Sequence, residues 1–407
     1  MVLDLYLSEM SVSDRHGGGL TLQRVLGEDL DRIKFFVHVH RFATDYPATD
    51  RLKSRCLDLF TPFGSDAVRR KIGCRPAKWL SERRMLRVWQ GKRVAKAIAA
   101  RFAGEKHPLR ALVCPQSPTS LYAIEALSQL RPVDYISWVM DDHLIRWRSG
   151  AWRYPRGIEA LFAHHLKGAK RVFVISPVMA EFYQQRFAIA TEVLPPPAEY
   201  ENEPVWETPS GTHHCRLGYF GNLGPWAIDA LNRVVSLLER CGATLDIYGP
   251  SGQKAGIFNH QGVRLCGSVP KADLRSRMRS YDAVVLPISF RPELRHMSEF
   301  NIATRMSECL ASGTVTLVIG PENAAMTKFL APFGAACLTT ASSVNELRLV
   351  MKNLKCEVYR RGVLTAARNL VIQELSTATL AEKWRRGVQT LSDPGDWSTS
   401  VSRALVC

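Results

Sequence analysis

No stretch of this 407-residue chain approaches the roughly 20 consecutive apolar residues that a membrane-spanning helix requires. The opening Met1-Val-Leu-Asp-Leu-Tyr6 lacks the basic region and apolar core of a secretory signal. From these two absences we expect a cytoplasmic protein. The ten cysteines (Cys56, Cys74, Cys114, Cys215, Cys241, Cys266, Cys309, Cys337, Cys356 and Cys407) form no Cys-x-x-Cys pair. This argues against the usual zinc and redox spacings and fits reduced, buried thiols better than a disulfide frame. There is no repeat of fixed short period, no low-complexity tract and no G-x-G-x-x-G dinucleotide fingerprint. No recognised nucleic-acid-binding motif is present, and nucleic acid is not an expected partner.

Acidic residues are scarce in one region. The chain carries 54 Lys and Arg against 38 Asp and Glu, a formal charge of +16. Residues 64–110 alone hold 14 basic and 3 acidic residues, whereas residues 111–407 are nearly balanced, at 32 and 26. A basic face of this kind attracts polyanions, anionic lipid or phosphorylated acceptors. Arg69-Arg70-Lys71, Arg83-Arg84 and Lys92-Arg93 are interleaved there with Trp79, Leu80, Leu86, Val88 and Trp89. That spacing suits an amphipathic helix lying on an anionic membrane, and equally a solvated helical face over an ordinary core stripe.

What the chain has in plenty is alternation. Val2–Leu7, Lys34–His40, Ala111–Pro115, Asp134–Met140 and Lys170–Ser176 read as buried strands separated by helical stretches. Residues 50–72 and 80–103 read as mostly helical. The pattern stops at Pro195-Pro-Pro197 and restarts with strands at Arg216–Phe220, Thr244–Tyr248, Val263–Cys266, Ala283–Leu286 and Val315–Ile319. Helices are expected at Met306–Ala311, closed by Gly313, and over Thr377–Leu391. At 407 residues the chain exceeds one ordinary core, and such alternation implies parallel sheets. We therefore expect an α/β protein with two doubly wound Rossmann-like domains facing across a cleft. The expected division is a first domain over 1–200, a linker over 201–214, a second domain over 215–378 and a C-terminal helix and tail over 379–407. That helix is expected to pack back on the first domain.

Four segments in order carry a resemblance. They are Gly218-Tyr-Phe-Gly-Asn-Leu-Gly224; Leu245-Asp-Ile-Tyr-Gly-Pro250 with Val263-Arg-Leu-Cys-Gly-Ser-Val269; Tyr281-Asp-Ala-Val-Val-Leu-Pro287; and Ala303-Thr-Arg-Met-Ser-Glu-Cys-Leu-Ala-Ser-Gly-Thr-Val315. Together they resemble the donor domain of GT-B glycosyltransferases, in particular the retaining group called family 4. In the first half, Ser176–Phe187 and Val193-Leu-Pro-Pro196 fit the approach to the linker. The resemblance implies sugar transfer from a nucleotide-sugar, a UDP- or GDP-sugar, to a glycan or lipid-linked acceptor, in cell-envelope or exopolysaccharide synthesis. No tightly bound cofactor is implied. Mg2+ is compatible with such a donor, but no carboxylate cage for it stands out. The alternative is a non-catalytic relative that binds nucleotide-sugar or a partner glycosyltransferase; a third reading is a sugar-nucleotide epimerase of the same fold.

The resemblance also implies roles. Glu308 would accept hydrogen bonds from the donor ribose, since a carboxylate takes two hydroxyl donors at once. Gly221, Asn222, Tyr248, Gly249 and Arg305 would line the donor site. His16-Gly17-Gly18-Gly19, and Gly18 and Gly19 in particular, would bring backbone amides to the donor phosphates. Asp142 and His143, in Asp141-Asp142-His143, would act at the acceptor. The pattern puts an acidic residue at 300, where this chain has Phe300; either Glu299 takes its place after a one-residue shift or that acidic residue is missing. The loop Gly224-Pro-Trp-Ala-Ile-Asp229 lacks the cation that usually neutralises the leaving diphosphate; Arg15, Arg291, Arg295 and Arg305 are the candidates to replace it.

Overall fold

The computed structural model describes residues 3–14, 16–40, 47–61, 63, 66–199, 214–249 and 260–391. Arg15, Pro250, the expected linker up to residue 213 and the tail from residue 392 lie outside them.

The first half builds β1 (Leu5–Ser8), β2 (Phe35–His40), β3 (Cys56–Phe60), β4 (Leu109–Cys114), β5 (Val133–Val139), the hairpin β6 (Arg146–Arg148) and β7 (Ala151–Arg153), β8 (Arg171–Val174) and β9 (Glu192–Val193). The second half builds β10 (Cys215–Phe220), β11 (Ala243–Tyr248), β12 (Val263–Gly267), β13 (Ala283–Pro287), β14 (Val315–Ile319) and β15 (Cys337–Thr339). The first sheet runs β3-β2-β1-β4-β5-β8-β9 and the second β12-β11-β10-β13-β14-β15, and every pairing in both is parallel. Parallel sheets are covered on both faces, so their strands are continuous apolar runs such as Val315-Thr-Leu-Val-Ile319, buried throughout. This is the expected pair of Rossmann-like sheets.

Residues 50–72 depart from the helical expectation. They divide into a 3-10 segment (Asp50–Arg55), the strand β3 and the helix Asp66–Ile72. In Cys56-Leu-Asp-Leu-Phe60, Leu57 and Leu59 share one, partly buried face and Asp58 and Phe60 are exposed on the other, the period of a strand, and the segment extends the sheet at its edge beside β2. Its five residues are hidden inside a longer basic stretch.

The chain returns to the first half at its end. Ala198 N–H donates to Leu375 O at 2.8 Å, and the helix Thr377–Gln389 follows. Trp384, fully buried on it, stacks on Trp138 of β5 at 6.2 Å between ring centroids and lies 5.8 Å from Phe173 of β8. Gly387 is required at this contact, because a Cβ there would sit 2.3 Å from the Phe173 ring. A second tie joins the halves. The segment around Phe300 packs on Trp152 of the hairpin and on Phe182, and Ser176 Oγ–H donates to Phe300 O. Arg295 lies over the Trp147 ring at 3.7 Å.

Candidate functional site

In an open parallel sheet, ligands bind beyond the carboxyl ends of the strands where strand order reverses. Here the first sheet reverses between β1 and β4, and the second between β10 and β13. A cleft of about 720 Å³ lies where both reversals meet. Its walls come from the loops after β1 (Met10, Asp14, His16), β4 (Gln116) and β5 (Asp141, His143), and from the loops after β10 (Gly221, Asn222) and β13 (Ile288, Ser289). Thr304, Arg305 and Glu308 complete it.

The helix Gly17–Leu26 opens onto this cleft. Its N-cap is His16, whose Nδ1 accepts from Gly19 N–H at 3.1 Å. Its Nε2 lies 2.8 Å from Ser11 O. A carbonyl only accepts, so Nε2 is the donor nitrogen of the ring and Nδ1 the acceptor. A Cβ is crowded at each of the three glycines, most firmly at Gly19, where the obstacle is backbone. A Cβ at Gly19 would lie 2.1 Å from Ser13 O, and one at Gly18 2.1 Å from Met10 Sδ. A Cβ at Gly17 would meet Thr304 Oγ1 across the cleft at 2.5 Å. The positive end of a 10-residue helix is thereby held against the second half.

Glu308 stands opposite on the short helix Arg305–Leu310 and is 19% exposed. Arg24, from the glycine-led helix, donates to its Oε1 at 2.7 Å, and Arg305 pairs with Oε2. Arg24 also approaches Glu199 at 3.6 Å. One carboxylate is thus clamped by guanidinium groups from both halves. Arg24 carries no motif and was invisible to sequence reading.

The other expected residues fall in different places. Gly18, Gly221, Asn222, Arg305 and His143 line the cleft, as does Asp141, 3.9 Å from His143. Desolvation pushes the Asp141 carboxyl upward, with His143 pulling against it. Gly19 is buried behind the first turn. Asp142 turns into the core instead. Its carboxylate accepts from the Leu144 and Ile145 amides and from the hydroxyls of Tyr154 at 2.7 Å and Tyr183 at 2.9 Å. It is 2% exposed and locks the loop that presents its two neighbours. Glu299 is not among the cleft-lining residues; it pairs with Arg295 and accepts from Asn323 Nδ2. Tyr248 stacks on Phe220 at 4.8 Å and hydrogen-bonds Tyr281, which donates to Asp246. Gly249 permits close approach, since a Cβ would lie 2.1 Å from Gly221 O. Of the candidate cations, Arg291 and Arg295 are off the cleft wall and Arg305 is on it.

Among the described residues one group has metal-ligand spacing, His38, His40 and Asp58 on β2 and β3, and none of the three lines the cleft. Asp58 accepts from both imidazoles, at 3.1 and 2.5 Å, which holds its carboxyl well below the usual range.

No family model and no curated protein sequence matches the chain. Solved structures do. Sucrose-phosphate synthase from Thermosynechococcus elongatus superposes with a TM-score of 0.65 at 14% identity, over 96% of this chain and 99% of that one. A glycosyltransferase from Rickettsia africae gives 0.64 at 11%, over 97% and 99%. Anabaena Alr3699/HepE in complex with UDP and glucose gives 0.59 at 14%, over 96% and 99%. The chain has the GT-B fold. At these identities the likeness is one of architecture, spanning both halves and the helix that returns to the first.

Proposed function

We propose that this GT-B protein is a glycosyltransferase that takes a nucleotide-sugar in the cleft between its halves. The observation that carries the reading is the position of Glu308, on the cleft wall opposite the amino end of the helix Gly17–Leu26. Each Glu308 oxygen accepts from one arginine and retains capacity for another donor, as the adjacent hydroxyls of a ribose require. The helix terminus and Arg305 supply the positive field for the diphosphate. HepE, of the same fold, was crystallised with UDP and with UDP-glucose, which supports a uridine donor.

In the reaction, an acceptor hydroxyl forms a bond to the anomeric carbon and loses its proton, while the bond from that carbon to the diphosphate breaks. Arg305 takes the place of the lysine absent from Gly224–Asp229, stabilising the departing nucleoside diphosphate. Asp141 and His143 sit on the first half, where the acceptor enters, and either is suited to receive the proton. Asp142 holds them in place.

A finer reading concerns the membrane. None of the described helices is long and apolar enough to cross one. The helices between Asp66 and Arg101 nonetheless expose Ile72, Trp79, Met85 and Trp89, with Arg83 over the Trp79 ring and Arg93 near that of Trp89. Large exposed apolar side chains beside cations suit peripheral contact with anionic lipid.

A turnover screen with UDP-, GDP-, ADP- and dTDP-sugars tests the first reading. Nucleotide release that is lost in Glu308→Ala supports it; release undiminished in that variant contradicts it. Flotation with anionic and neutral vesicles tests the second, which fails without a preference for the anionic ones.

A further inference from the structure

A second cavity, of about 800 Å³, adjoins the cleft, and Met10, His16, Gln116 and His143 belong to both walls. It lies wholly in the first half, beyond the ends of β1, β2 and β4. Five arginines line it: Arg84 and Arg87 from the helix Arg84–Arg101, and Arg146, Arg148 and Arg156 from the hairpin and the loop after it. Two carboxylates share the wall. Glu9 is consumed locally, accepting from Gln116 N–H at 2.9 Å, Ser117 Oγ–H at 2.8 Å and Ser120 N–H at 2.7 Å. Glu82 is solvent-exposed.

Among the described residues none of the five arginines has a carboxylate within ion-pair distance. Arg146 donates to the carbonyls of His143 and Ile145. Arg87 is half-buried and, among the described residues, its guanidinium donates no hydrogen bond; desolvation lowers its pKa, with Glu9 and the Tyr122 phenol pulling the other way through space. A guanidinium partly withdrawn from water without an anion is costly, and an anionic ligand entering the cavity would offset that cost. Arginine forks match phosphate, sulfate and carboxylate groups. The volume falls in the range of ligand pockets and admits a short oligosaccharide.

We infer that this cavity seats the acceptor, and that the acceptor is an anionic saccharide, one bearing a phosphate, sulfate or carboxylate substituent that the five arginines hold. This rests on the reading that the adjoining cleft takes the nucleotide-sugar. A saccharide anchored by its charged substituent would reach the wall shared by the two spaces, with a hydroxyl beside His143. Arg84, Arg148 and Arg156 are solvent-exposed and Arg146 has its carbonyls, so a neutral acceptor would leave the half-buried Arg87 guanidinium without an anion.

The test is calorimetric, on the full chain. The probes are a sulfated heparin-derived tetrasaccharide, a uronate-bearing tetrasaccharide and neutral chitotetraose, with UDP titrated in parallel. The expected result is binding of the charged probes at least tenfold tighter than chitotetraose, and a loss of about tenfold or more in Arg87→Gln, the scale of one charged hydrogen bond. Lys96→Gln, which removes the same charge from the outer face of the same helix, should leave that affinity unchanged. UDP affinity should survive Arg87→Gln. Circular dichroism melts separate a binding loss from misfolding, and Arg148→Gln, on an exposed side chain, is the second variant. Equal affinity for charged and neutral probes, or equal losses in Arg87→Gln and Lys96→Gln, overturns the inference while UDP binding keeps the donor reading intact. Competition between UDP and the sulfated probe, with Arg87→Gln weakening both alike, assigns the arginines to donor phosphates and also overturns it. No binding of UDP, nor of GDP, ADP or dTDP titrated in its place, defeats the underlying donor reading instead.

Discussion

Glu308 and Asp142 are both acidic residues of the cleft region, and their surroundings give them opposite work. Glu308 is partly open and its oxygens face arginines from both halves. Glu308→Gln keeps its size, removes its charge, leaves Arg305 without its anion and leaves Arg24 only Glu199, at 3.6 Å. We expect donor affinity to fall by about 10- to 100-fold, read by titration with UDP, with a smaller change in melting temperature. Asp142 already satisfies two amides and two tyrosine hydroxyls in the core. Asp142→Ala would strand all four donors, and should lower unfolding free energy by about 3 kcal/mol or more in a denaturant titration. A variant that loses turnover at unchanged stability would contradict that structural role. The sequence places both residues correctly along the chain and says nothing of direction. Asp141, Asp142 and His143 are consecutive, and only the backbone decides which of them turns inward. Arg24 looks like any helical arginine until the opposite half is in place.

Elements were more legible than side chains. Apolar runs such as Val315–Ile319 announced the parallel strands, because burial on both faces leaves no room for polar alternation. The short pieces escaped: β3 within a basic stretch, the hairpin β6–β7, β9 with two residues and β15 with three. Each is stabilised by the sheet or by the opposite half, a tertiary effect without local signature. Helix termini are a local matter. Ser343 caps the helix Val344–Lys355, its Oγ accepting from Glu346 N–H, while the Glu346 carboxylate reaches back to Ser342 N–H at 2.8 Å. Burial works against the Glu346 charge, but hydrogen bonds from Ser342, Thr339 and Thr340 prevail and hold its pKa at about 2. A depressed folded-state pKa stabilises above the unfolded value and ceases to do so as pH falls through the folded one. Glu346→Ala should therefore cost about 1–2 kcal/mol near neutrality. The gap between variant and native protein should narrow from about pH 4.5 down to about 2, as followed by denaturant melts across that range. A gap independent of pH would show that the carboxylate charge is not what holds this terminus.

At the scale of the whole molecule, two sheets reverse their strand order at facing positions, and the cleft is the consequence. The returning helix Thr377–Gln389 and the contacts around Phe300 join the halves, while Arg24 and Glu308 meet across the cleft between them. A nucleotide entering there would share Glu308 with the arginines that already hold it, so donor binding and the relation between the halves are coupled at one side chain. The most direct measurement is a crystal structure of the protein with UDP. The account predicts the ribose hydroxyls on the Glu308 carboxylate and the diphosphate between Arg305 and the amino end of the helix Gly17–Leu26. A nucleotide bound elsewhere, with Glu308 touching only Arg24 and Arg305, would contradict it.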